Sequence, residues 1–153
     1  MSILIKQINI DDNLAEVKKV LGKDIKQSNE KDGSQDFVVV EYLSNKLKPG
    51  ERFVVSLNQK LDKVVSKFWS PGYEGELLKL DKLKADKFSS LKFESIEPPL
   101  CTDSPSSEIF IVNPDSGLII RYTRSRREVV AVLWSSPEQY KIVLNKITKC
   151  PGK

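Results

Sequence analysis

The chain has 153 residues, 39% apolar and 30% charged, with 25 basic against 21 acidic side chains and no histidine. That length and balance suit one folded, well-solvated domain with its own core and exclude an intrinsically disordered chain. No run of about 18 apolar residues is present to cross a membrane as a helix.

In chain order, Ile3, Ile5, Ile8 and Ile10 predict a first strand. The segment has no basic leader and no small-residue cleavage site, so a secretory signal is not expected. Leu14, Val17, Val20 and Leu21 then recur at helical spacing, with Asn13 and Glu16 in a capping-box pattern and Gly22 placed to stop the turn, which predicts a helix over 13–21. Residues 24–36 hold little to bury and read as a mobile loop, and FVVVEYL (37–43) reads as a buried strand. Over 51–69 the apolar residues Phe53, Val54, Leu57, Leu61, Val64, Val65 and Phe68 fall on one helical stripe, with Lys67 on the polar face, predicting the longest helix of the chain.

The stretch 73–87 is ambiguous between a short helix and irregular backbone, and its lysines read as a solvated face. FSSLKFESI (88–96) is expected to be a strand ended by Pro98-Pro99. A polar loop with a Ser104-Pro105 pair follows. The C-terminal block is the most orderly: strand 108–112, the turn NPDSG, strand 118–123, the connection 124–128, strand 129–134, then a helix capped by Ser136 with Pro137 at its first position. Trp69 and Tyr73 are expected to cover the edge of the core, the alternative being a partner surface. The expectation is a single α+β domain over 1–153. Its mostly antiparallel sheet has about five or six strands and two or three helices, and a C-terminal meander runs into the last helix.

The missing histidine removes the commonest metal ligand and the usual acid–base residue near neutral pH, and with them any Ser-His-Asp or Cys-His arrangement. No glycine-rich phosphate loop is present, and Cys101 and Cys150 lie too far apart for the paired spacing of a zinc site. Two cysteines are too few for a disulfide framework, so reduced thiols and a cytoplasmic or nuclear setting are expected. Asp115 and Glu128 flank strand 118–123 as nuclease carboxylates do. Such a core also wants a lysine just after the second acid, where Val129, Val130 and Ala131 stand. No catalytic residue, metal or cofactor is therefore expected.

The conspicuous feature is charge. Four of the five arginines, Arg121, Arg124, Arg126 and Arg127, fall within RYTRSRRE, and residues 101–153 carry eight basic against five acidic side chains. Guanidinium forks suit carboxylates and phosphates. On a strand, Leu118, Ile120, Tyr122 and Arg124 share one face and Arg121 takes the other. Tyr122 is then placed to stack on a base or to cover an arginine stem. The expected function is a non-enzymatic binding or regulatory domain that engages an acidic protein partner through this hairpin. The alternative is a small nucleic-acid-binding protein, RNA before DNA, that contacts phosphates with the same residues. Lys141, Lys146 and Lys149, toward the end of the last helix, either converge with the arginines or simply suit the negative end of the helix dipole.

Overall fold

The computed structural model describes residues 3–72, 77–99 and 107–150. Its centre is one antiparallel sheet of eight strands: β1 (Ile25–Asp32), β2 (Gln35–Tyr42), β3 (Arg52–Asn58), β4 (Lys63–Ser70), β5 (Glu94–Ile96), β6 (Glu108–Asn113), β7 (Leu118–Thr123) and β8 (Val129–Ser135). The spatial order is β1-β2-β3-β4-β8-β7-β6-β5. Two four-strand meanders thus meet where β4 pairs with β8, from Ser66 opposite Ser135 to Trp69 opposite Val132. Four helices complete the fold: α1 (Ile3–Gln7), α2 (Leu14–Leu21), α3 (Leu80–Lys87) and α4 (Pro137–Ile147). The α+β class and the final strand-to-helix order match the sequence reading, whereas the strand and helix counts both exceed it.

Alternation along β7 divides the core in two. Leu118, Ile120 and Tyr122 join the larger cluster with Ile5 of α1, Val17 and Leu21 of α2, and Leu80 and Leu83 of α3. Ile119 faces the other way, against Tyr140 of α4 and Val112 of β6. Three helices therefore cover one face of the sheet and α4 the other.

Three sequence expectations fail, each for a physical reason. Residues 3–10 open as the helix α1, because four isoleucines at close spacing satisfy either period and a docking surface on the sheet decides. Residues 24–36 are β1 and the turn into β2, joined across Asp32 and Gln35 with Gly33 at φ +61°. As an edge strand with one neighbour, β1 buries almost nothing, so it lacks the alternation that marks a strand. The available signal was Gly33-Ser34, the two residues of the hairpin loop.

The predicted helix over 51–69 is the hairpin β3–β4. Phe53, Val55 and Leu57 are buried on one face, while Leu61, which the helical stripe required inside, is 63% exposed in the turn. Asn58 Oδ1 accepts the Leu61 N–H at 2.9 Å, and Asp62, at φ +50°, accepts the Leu14 N–H at 3.0 Å. β-Branched content and long-range pairing outweighed a helical period that a bulged hairpin also satisfies.

The hairpin also relocates Lys67, which the helical reading put in solvent. It is 9% exposed, and its ammonium donates to Ile5 O at 2.9 Å and Ile8 O at 2.8 Å, fastening the end of α1, with Trp134 5.3 Å beneath. Burial lowers its pKa from the ordinary value of 10.5, and the charge of Asp12 opposes that shift.

Other expectations hold. Asn13 and Glu16 form the reciprocal capping box on α2, at 2.9 Å and 3.3 Å. Ser136 caps α4 through Gln139 N at 3.2 Å. The ambiguous 73–87 stretch contains α3, and the strand expected over 88–96 shrinks to β5. Trp69 is 3% exposed and donates to Glu51 Oε2 at 2.8 Å, so it belongs to the core, while Tyr73 and the Ser104-Pro105 pair lie outside the described residues.

Cys150 is disulfide-bonded, and no cysteine among the described residues is free. The expectation of reduced thiols does not hold at Cys150. The inference from thiols to a reducing compartment loses its footing with it. The other cysteine, Cys101, lies outside the described residues. Among the described residues no helix is long and apolar enough to cross a membrane.

Candidate functional site: a basic corner

The arginines sit where β7 turns into β8. Thr123 N donates to Glu128 O at 2.9 Å and Arg127 N to Thr123 O at 2.9 Å, closing the turn. Arg127 holds φ +54°, a left-handed backbone uncommon outside glycine. What fixes it is the segment entering α3. Leu80 N donates to Arg127 O and Val129 N to Leu78 O, both at 2.8 Å, and Lys79 bridges to Glu128 as a short extension of the sheet. The Lys79 ammonium then reaches Arg126 O at 3.1 Å and Glu128 Oε1 at 3.3 Å. The turn is thus a backbone-stitched platform and not a loose tip.

The four guanidinium groups go to different places. Arg121 lies on the α4 face of β7, with Nε 3.1 Å from Glu108 Oε2 of β6. Arg124 meets Glu97, just after β5, at 2.7 Å. Arg127 meets Asp81, in the first turn of α3, at 3.1 Å. That hydrogen bond is the main reason its pKa stands above the ordinary value; the charges of Asp81 and Tyr122 add to it and burial opposes it. Arg126 is exposed, and its side chain meets no partner among the described residues.

Tyr122 is 3% exposed, inside the larger core cluster, with Arg127 5.4 Å above its ring. Of the two roles expected of it, covering an arginine is in place, and its buried ring is not presented for stacking on a base.

Of the three C-terminal lysines, Lys146 pairs with Asp32 at the tip of β1. The lysine that meets the arginine turn is Lys79; Lys82 and Lys87 are exposed on α3, the helix that also carries Asp81. Sequence reading took these for an ordinary solvated face. The contact joins residues more than forty positions apart, and no local pattern encodes it. The carboxylates that meet these cations are Glu128, Glu97 and Asp81.

Glu128 therefore serves Lys79, and Asp115 sits exposed in a 3-10 turn between β6 and β7. Among the described residues no three histidine, cysteine or carboxylate side chains are grouped to hold a metal. Shallow concavities lie along the β1–β2 and β3–β4 hairpins. One of them, about 500 Å³, is lined by Gln35, Asp36, Asn58, Gln59, Lys60 and Leu61. Compared with known proteins, the chain matches no family model, no curated protein and no solved structure.

Proposed function

We propose that the chain is a non-enzymatic binding or regulatory domain whose basic corner, built from Arg124, Arg126 and Arg127 with Lys79 and Lys82, engages an acidic protein surface. The observation that supports this reading is the seam that fixes the arginine turn against α3. It holds guanidinium groups on rigid backbone before any partner arrives, so little ordering entropy remains to be lost on binding. Arg121, tied to Glu108 on the other face of its strand, serves the fold. Protein is favoured over nucleic acid because Tyr122, the aromatic that Arg127 overlies, lies buried beneath it.

The test is fluorescence anisotropy with two labelled probes, a polyglutamate peptide and a single-stranded RNA of similar charge, over a salt series. Wild type is expected to bind polyglutamate, and Arg126→Glu with Lys82→Glu to weaken it about tenfold, or 1.4 kcal/mol. Preferential RNA binding with a steep salt slope would move the assignment to nucleic acid. Binding of neither probe at low salt would remove both readings.

A further inference from the structure

We infer that the basic corner is self-occupied: Asp81 and Glu97 stand where a partner's carboxylates would bind, and a partner enters by exchanging with them. This rests on the reading above and specifies how that site is regulated.

Arg127 and Arg124 point outward from one turn, yet each is met by a carboxylate from a different element, Asp81 from α3 and Glu97 from the end of β5. Both acids are well exposed, with side chains at 74% and 65% of their free area, so water reaches each pair from outside. Exposed ion pairs contribute little to stability, because solvation of the separated ions nearly matches their attraction. Opening them therefore costs little, and an incoming carboxylate regains the same fork geometry. Beneath the pairs the platform is fixed independently, by backbone bonds from Leu80 and Val129 and by the Tyr122 ring under Arg127. The guanidinium groups can thus change partner without the turn unfolding. Arg126, exposed between them, offers a first contact that requires no exchange. Asp81 and Glu97 act as built-in competitors: they neutralise the corner in the free protein and reject weak or singly charged ligands.

The consequence runs against the usual effect of removing a surface pair. Asp81→Asn and Glu97→Gln should each bind polyglutamate about threefold more tightly than wild type, and about tenfold when combined. Asp86→Asn is the control. It removes the same charge from α3, where Asp86 is exposed and forms no ion pair among the described residues, and it should change affinity by less than about 1.5-fold. Thermal melts of all variants establish that each is folded. If wild type binds and Asp81→Asn and Glu97→Gln bind no better than Asp86→Asn, self-occupation is wrong while the binding reading stands. If neither wild type nor any variant binds at low salt, the binding reading fails and takes this inference with it.

Discussion

Gly117 offers the sharpest test of the packing, because its backbone angle and its surroundings each forbid a side chain. It follows the 3-10 turn Pro114–Ser116 at φ +65°, and a Cβ there would lie 2.1 Å from Ser135 O and 3.1 Å from Ser135 C. The obstacle is the backbone of β8, which cannot rotate aside. Gly117→Ala therefore incurs about 1 kcal/mol for left-handed backbone. Forcing β7 and β8 apart costs about 1–3 kcal/mol more. The Ser135 N–H bond to Gly117 O, 2.9 Å long, is lost with that separation, which adds about 0.5–1.5 kcal/mol. The sum is about 3–5 kcal/mol, a melting-temperature drop of about 10 °C in a domain of this size. Gly33 separates the two causes. It has φ +61°, and a Cβ there would meet nothing within 4 Å, so Gly33→Ala should cost only about 1 kcal/mol. Urea denaturation of both variants, with the slopes compared, reads the difference directly. If Gly117→Ala fell within about 1 kcal/mol of Gly33→Ala at equal slope, the close approach of β7 to β8 would be wrong.

Two further variants probe buried polar groups. Lys67→Met keeps the length of the side chain but orphans the carbonyls of Ile5 and Ile8; a loss of about 2 kcal/mol is expected, felt first as faster amide exchange in α1. Because the folded pKa of Lys67 is depressed, between that value and the ordinary 10.5 the unfolded chain holds a proton that the folded chain does not. Raising pH through this window should therefore stabilise wild type relative to Lys67→Met, with the gain lost again as pH falls through the folded value; denaturation midpoints that shift in parallel would contradict this. The Tyr140 hydroxyl is buried with no hydrogen-bond partner among the described residues, and burial first, then the charge of Glu94, raises its pKa. Tyr140→Phe should be neutral or gain about 1 kcal/mol in the same denaturation assay, and a clear loss would mean that the hydroxyl is satisfied.

Elements whose signals are local were legible in the amino-acid order alone. The capping box of Asn13 and Glu16, the Ser136-Pro137 start of α4, the NPDSG turn and the apolar runs of β2, β6, β7 and β8 are each specified by residues within a few positions of one another. The arginine turn was marked in the same way, and Arg121 lies on the face opposite Leu118, Ile120 and Tyr122, since alternation along a strand needs no partner to be read. The rest waited on long-range pairing. The 51–69 segment suits a helix until β2 and β8 offer backbone partners on either side. β1 is a strand because β2 lies beside it, not because its own side chains have anything to bury. Lys67 moves from solvent to core with the pairing of the 51–69 segment. At the site, the sequence displayed four cations in seven residues, and the fold assigned three of them to Glu108, Glu97 and Asp81 and left Arg126 outside. Local backbone preferences act over three or four residues, whereas the partner of a charge is whichever element the sheet brings beside it.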